Sequence, residues 1–457
     1  MATLTGVTLT MMVDTPATIA VLGAGPIGLE AALYGRVLGY EVNVYERGKV
    51  GENLRRFGHV RLFSPFHMNS SPLGLAALEA QDSAWQPPAP EALLTAEEHV
   101  VKYLRPLAES DLVVEGLREK TAVVSVGRDG PLKGELIGKP ARAEHPFRLL
   151  LEDAAGAERV ETADIVIDAT GTFGNPNWLG HGGIPAPGER ATRGHVEHGL
   201  PDILGLMREG YAHCHVLLVG AGYSAATNAI ALAQLAAEAP RTRVTWITRC
   251  CTPADVGRIG NPSYSGPIPL IPDDRLPERR RIAQAANGLA AGCDERVIHW
   301  PGTTVSAIRH SDDKFTVQLI GQHAGKIEVD RVIANVGFRP DNSLCSELQV
   351  HECYASGGPM KLAAALLCNR DDSLRESKPL AERADYTEDC LDQPSAGPQA
   401  LMNPEPNFYI LGAKSYGRNS KFLIQRGLEQ IRDLFGIVGG RAELDLYKTV
   451  RPAKAGK

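Results

Sequence analysis

A chain of 457 residues is long enough for two or three domains and a substantial buried core. Its formal net charge of -6 gives no electrostatic drive toward nucleic acid or an anionic membrane surface. The eight cysteines (Cys214, Cys250, Cys251, Cys293, Cys345, Cys353, Cys368 and Cys390) form no C-x-x-C pair and no zinc-type spacing, so they read as free thiols of a reducing compartment. The opening MATLTGVTLTMMVDTPAT has neither the basic start nor the unbroken apolar core of a signal peptide. No stretch has the apolar length of a membrane span, and a soluble, cytoplasmic protein is the expectation.

Residues 19–22, IAVL, are an apolar run of the kind that builds a buried parallel strand. Gly23-x-Gly25-x-x-Gly28 follows at once. Gly23 permits the tight turn, Gly25 lets backbone amides approach a pyrophosphate, and Gly28 lets the next helix pack close on the strand. Pro26 and Ile27 fall in the same cofactor-binding turn, at a helix start whose free N–H groups and partial positive charge suit an anion. EVNVYE is the second strand, and Glu46 at its end can accept both hydroxyls of a ribose; Arg47 beside it joins the candidate contacts. A carboxylate here repels a 2′-phosphate, so this pocket suits FAD or NAD.

After a glycine turn at Gly51, a polar-aromatic segment leads to MNSSP. On residue type alone Asn69 can cap a turn before Pro72. LLTAEEHVVKYLRPLAE then reads as a helix, with Val100, Val101, Leu104 and Leu107 at helical spacing. ADIVIDATGTFGNPNW is a strand running into Ala169-Thr170-Gly171, with Thr170 and Gly171 as cofactor candidates. His195 and His198 follow in a segment where exposed loop positions or a flavin-pocket lining both fit.

VLLVGAGYSAA repeats the first arrangement as Gly220-x-Gly222-x-x-Ala225, with Tyr223 and Ser224 inside the turn. The strand RVTWIT then ends at Arg249 rather than at an acid. A guanidinium can pair bidentately with a 2′-phosphate, so this pocket favours NADPH. Arg241 and Arg243 lie before the strand and read as surface charges. Two pockets thus serve two dinucleotides, FAD in the first and NADPH in the second. Arg279, Arg280 and Arg281 start a further helix, either as a solvated face or as a hint of an external anion. DRVIANVGFRPDN is a strand leaving through Gly337. Residues 344–407 form a long, turn-rich insertion that fits a lid, a substrate-determining segment or a subunit contact of a homo-oligomer. PNFYILGAKSYGRNSKFLIQRGLEQIRDLF is a strand ending at Gly412 and a helix from about Ser420; Lys414, Tyr416 and Arg418 between them form a polar cluster.

In this order around two G-x-G-x-x-[GA] motifs, these stretches resemble the two-dinucleotide-binding-domain flavoproteins over about residues 17 to 440. The resemblance implies an α/β fold of two Rossmann-like three-layer domains, with an NADPH domain (208–330) inserted into a discontinuous FAD domain (1–207 and 331–457). Among the branches, MNSSP followed by a helix carrying Tyr103-Leu104 resembles the flavin-containing monooxygenase family. That likeness implies that Asn69 is the active-site asparagine. It further implies that NADPH reduces FAD, O2 adds as a C4a-hydroperoxide, and a small-molecule substrate is oxygenated, typically at nitrogen or sulfur. Lys414, Tyr416 and Arg418 become candidate flavin or substrate contacts. The family's F-x-G-x-x-x-H signature before the second fingerprint is missing here. The alternative is an NADPH-dependent reductase or thiol oxidase of thioredoxin reductase type, for which Cys250-Cys251 is the nearest approach to a dithiol. A flavoprotein that binds FAD without turnover is the third class.

Overall fold

The computed structural model describes residues 13–249, 266–366, 391 and 395–450. Within these, the chain builds the same arrangement twice. The first copy runs β1 (Thr18–Leu22), a helix (Pro26–Val37), β2 (Glu41–Tyr45) and β3 (Leu117–Arg118). A three-stranded antiparallel sheet of β4 (Thr121–Arg128), β5 (Phe147–Asp153) and β6 (Glu158–Ala163) follows, then β7 (Ile165–Asp168). The second copy is β8 (His215–Val219), a helix (Tyr223–Glu238), β9 (Arg243–Ile247), a helix (Pro277–Ala290) and β10 (Val297–Trp300). Its antiparallel sheet is β11 (Thr303–Ser311), β12 (Lys314–Gly321) and β13 (Gly325–Val329), and β14 (Arg331–Ala334) closes it. β15 (Phe408–Ile410) and a last helix (Ile424–Val438) complete the first domain.

The two parallel sheets have matching orders, β15-β7-β1-β2-β3 and β10-β9-β8-β14. In each, the strand after the antiparallel ribbon returns beside the first strand: β7 against β1, and β14 against β8. The central strands are buried on both faces, which is why they read as unbroken apolar runs rather than as alternating patterns. The α/β class with two Rossmann-like cores holds.

Two boundaries move. Arg331–Ala334 pairs in parallel with Val216–Val219, so this strand belongs to the second domain, which extends past the expected limit at residue 330. The chain returns to the first domain only through residues 336–341. The helical region 96–108 forms where expected, but its middle, Val100–Leu104, is a π-turn. One extra residue per turn rotates Val101 off the core face, and it stands 55% exposed while Val100, Leu104 and Leu107 are buried. The last helix begins at Ile424, after residue 420 by one turn.

Each domain has its own apolar core. The first packs the Pro26–Val37 helix against the last helix, with Tyr34 stacked on Phe435 at 5.0 Å. The second centres on Trp246, whose indole N–H donates to the Gly220 carbonyl at 2.8 Å and so ties the core to the fingerprint turn. A buried triad anchors the end of the 344–407 insertion to the first antiparallel sheet: Glu405 accepts from Arg128 (2.7 Å) and Arg142 (2.9 Å), all without solvent exposure of consequence. No helix among the described residues is long and apolar enough to cross a membrane.

Candidate functional site

The first fingerprint is a turn that only glycine fits. Gly23 sits at φ +98°, its N–H donating to the Tyr45 carbonyl, and a Cβ there would lie 2.9 Å from the Ala169 carbonyl oxygen. Gly28 lies against the Gly23 carbonyl, with no room for a side chain. Gly25 differs: a Cβ at this helix N-cap meets nothing within 4 Å. The turn is therefore closed where it touches protein and open at the helix N-terminus, where the first N–H groups lack intrahelical partners. That shape fits a pyrophosphate. Glu46 closes the strand end with its carboxylate buried, accepting from Ala24 N–H (2.9 Å) and Gly48 N–H (2.8 Å). Each oxygen keeps a further lone pair for a ribose hydroxyl. Arg47 is exposed, with its guanidinium lying against Gly174.

Motifs far apart in sequence meet at this turn. Gly412 packs on Ile27, where a Cβ would sit 3.3 Å from its side chain, and Gln430 of the last helix accepts the Gly412 N–H at 2.9 Å. Lys414 is neither a solvated loop residue nor a free contact: it is 1% exposed and paired with Asp168 at 2.6 Å. Asp168 also accepts from the Thr170 hydroxyl (2.7 Å) and N–H (3.1 Å), so ion pair and Thr170-Gly171 exit form one network. Asp168 escaped the sequence reading, although an acid ending the apolar run Ile165–Ile167 demands a cation. Tyr416 is buried against Phe422, and Arg418 is exposed and donates to Asn177.

The second fingerprint repeats the geometry. Gly220 has φ +137° and presses on the Asn335 carbonyl, while a Cβ on Gly222 meets nothing within 4 Å. Tyr223, Ser224 and Ala225 open the helix above it. Behind the turn, Asn228 donates to Asn335 Oδ1 (2.7 Å), and Asn335 donates to the Gly199 carbonyl (2.8 Å). Arg249 stands exposed just beyond β9, at the place where the first pocket has Glu46. The neighbouring Thr248 bonds His299, whose pKa burial lowers to about 4, so that ring is neutral.

Asn69 is buried at the end of the short helix Phe66–Asn69. Its amide nitrogen donates to the Ser64 (3.0 Å) and Pro65 (3.2 Å) carbonyls, and its oxygen accepts from the Ser64 hydroxyl (2.9 Å). Both N–H groups are thereby committed to its own loop. This helix packs on the last helix, and Phe63, just before it, makes an edge-on ring contact with Tyr223 at 5.4 Å. Below lies a buried polar group: Glu30 on the first fingerprint helix, with a pKa pushed up to about 7 by burial. His99 nearby is lowered to about 4 by burial alone, its ring nitrogens without partners among the described residues.

His195 is exposed and stacks on His310 at 4.0 Å, whereas the buried ring nitrogens of His198 find no partner among the described residues and burial lowers its pKa to about 4. Arg279 pairs with the buried Asp274 at 2.6 Å and Arg281 with Glu278 at 2.7 Å, which answers two of the three charges of that run internally. Gly337, at φ +86°, lies against Asn177 where the chain passes back between domains. Cys250 and Cys251 lie outside the described residues.

No family model and no curated protein matches the chain. Solved structures do. The bacillithiol disulfide reductase Bdr (YpdA) of Bacillus cereus superposes with a TM-score of 0.60 at 19% identity, covering 93% of this chain and 100% of that one. The FAD-bound cadaverine monooxygenase DfoA of Erwinia amylovora gives 0.56 at 14% identity, covering 97% and 100%. The ornithine N-hydroxylase of Kutzneria, with reduced FAD, NADP+ and ornithine, gives 0.55 at 13%, covering 94% and 100%. The fold is that of the two-dinucleotide-binding flavoproteins. Identities this low carry the architecture alone.

Proposed function

We propose that this chain is an FAD- and NADPH-dependent monooxygenase that oxygenates a small molecule at nitrogen or sulfur. The course of residues 63–71 carries the reading. Phe63 packs on Tyr223 at the head of the second fingerprint helix, and Phe66–Asn69 packs on the last helix, which holds Gly412 against Ile27. The segment bearing Asn69 thus bridges the two dinucleotide turns, where a hydride donor and acceptor must meet. Two similar structures use this fold for amine chemistry, on cadaverine and on ornithine.

When bound, FAD and NADPH supply hydride transfer and oxygen activation; the protein binds, orients and excludes water. The turn at Gly25 and its helix amides would hold the pyrophosphate of FAD and Glu46 its ribose, with the Asp168–Lys414–Thr170 network fixing the strand exit beside that turn. The turn at Gly222 and Arg249 would hold NADPH. Asn69 fixes the 64–69 turn; donation to a reacting oxygen requires one of its N–H groups to leave Ser64 or Pro65. A disulfide reductase would instead use a thiol pair. Among the described residues Cys214, Cys293, Cys345 and Cys353 are free; burial raises Cys345 to about 12, whereas hydrogen bonds from Ser356 lower Cys353.

The test is aerobic turnover with NADPH over a panel of amines and thioethers, with product mass read under heavy-isotope O2 and H2O2 measured in parallel. One labelled oxygen in the product per NADPH is expected. Asn69→Asp sets a carboxylate oxygen against the Ser64 and Pro65 carbonyls, so it is compared at matched flavin content; there NADPH oxidation continues while product gives way to H2O2. Disulfide-dependent NADPH oxidation with no O2 uptake would establish the reductase reading instead.

A further inference from the structure

The seam between the two domains carries charge that neither fingerprint turn explains. Residues 172–178 and 336–341 pass one another there in antiparallel fashion: Asn177 N–H donates to the Gly337 carbonyl, and Arg339 N–H to the Asn175 carbonyl, both at 3.0 Å. An amide of Asn175 reaches the Pro340 carbonyl at 3.2 Å. This frame begins three residues beyond Ala169, which backs Gly23, and one residue beyond Asn335, which backs Gly220. It is fixed to both pockets.

On it, guanidinium groups gather around one indole. The Arg193 guanidinium carbon lies 4.7 Å, and that of Arg339 5.6 Å, from the centroid of the Trp178 ring. Arg418 arrives from the loop after Gly412 and donates to Asn177 Oδ1 at 2.9 Å. Asp341 is the acid that faces Arg339, and its carboxylate is already held by the Ser343 hydroxyl (2.7 Å) and N–H (3.1 Å). Burial lowers the Arg339 pKa, and like charge from Arg418 and Arg193 lowers it further, with Asp341 alone opposing. Three cations against one engaged carboxylate is an unfavourable arrangement that an external anion relieves. Cation–π attraction to Trp178 favours the positions of two of the guanidinium groups, which lowers the cost of gripping an oxyanion.

We propose that Arg193 and Arg339 over Trp178, with Arg418 bonded to the adjacent Asn177, form an anion-binding site for the carboxylate or phosphate of a small molecule held at the seam between the two pockets. The site deepens the functional reading and rests on it in one respect, the identity of the anion's owner. An acidic substrate and a bound dinucleotide offer the same oxyanion chemistry.

The experiment is calorimetric titration of FAD-loaded protein with succinate, inorganic phosphate and NADP+ in turn. Wild type, Arg339→Gln and the double variant Arg193→Gln/Arg418→Gln are compared, with flavin content and thermal midpoint read on the same samples. Wild type binds succinate or phosphate saturably, binding weakens with added salt, and each variant weakens it roughly tenfold or more. Loss confined to succinate and phosphate assigns the site to an acidic substrate; a parallel loss for NADP+ assigns it to a dinucleotide phosphate. No saturable binding of either small anion by wild type, or variants that bind as wild type does, overturns the proposal. Failure of the flavin reading shows separately, as protein that carries no FAD.

Discussion

Gly25 and Gly28 stand three residues apart in one turn and have opposite sensitivities. Gly25 is extended, at φ -83° and ψ -176°, a conformation open to any residue, and a Cβ there meets nothing within 4 Å. Gly25→Val therefore costs the fold only the exchange of a good N-cap for a poor one, about 0.5–1 kcal/mol. At roughly 2–4 °C per kcal/mol for a domain of this size, the thermal midpoint drops by a few degrees. Its side chain fills the space in front of the helix amides, so bound FAD falls from one per chain toward none. At Gly28 a Cβ would collide with the Gly23 carbonyl and meet Val21 at 3.4 Å. Gly28→Val must push the helix off β1, an overpacking cost of about 1–3 kcal/mol or more that falls on backbone. The assay pairs flavin-to-protein absorbance with thermal unfolding. A Gly25→Val protein that keeps a full complement of FAD would refute the assignment of this turn to the pyrophosphate.

Arg249→Ala should raise the NADPH concentration needed for flavin reduction roughly ten- to hundredfold, the value of one charge-assisted contact, and leave NADH unchanged; equal response to both in wild type would make Arg249 a surface charge. Burial raises Glu30 from 4.5 to about 7, so the folded protein keeps a proton that the unfolded chain releases, and stability falls as pH rises between those values. Glu30→Gln should remove that slope and stabilise by about 3 kcal/mol near pH 8 with little change near pH 4; parallel stability profiles for variant and wild type would contradict this. Glu405→Ala leaves Arg128 and Arg142 buried without their acid and should destabilise by about 3–5 kcal/mol in denaturant unfolding. A change under about 1 kcal/mol would mean that water replaces the carboxylate.

The fingerprint turns were legible because their glycines answer to local sterics: the residues that crowd Gly23 and Gly28 are set by a turn a few residues long. Strand Arg331–Ala334 was legible as a strand but not by address, since a four-residue apolar run reads alike in either parallel sheet. Its place comes from the register with β8. Lys414 could be picked out as polar near the first pocket, yet its pairing with Asp168 joins positions 246 apart in sequence. Arg279 likewise looked like a free cation until Asp274 folded against it. Val101 shares the helical spacing of its apolar neighbours yet stands exposed for a local reason, the π-turn, which shifts the angular phase on which that spacing depends. Of the seam arginines only Arg418 stands out in the sequence, as part of the polar cluster after Gly412; its meeting with Arg193 and Arg339 leaves no signal, because the three come from separate segments.

The central claim is that two pockets of one fold hold two different dinucleotides in electrical contact. Anaerobic titration of the purified protein with NADPH, followed by admission of O2, tests it directly. One FAD per chain should bleach with one equivalent of NADPH, at far lower concentration than NADH requires, and recover its colour as O2 is consumed. A colourless protein that takes up no FAD, or a bound flavin that NADPH leaves oxidised, would contradict the account.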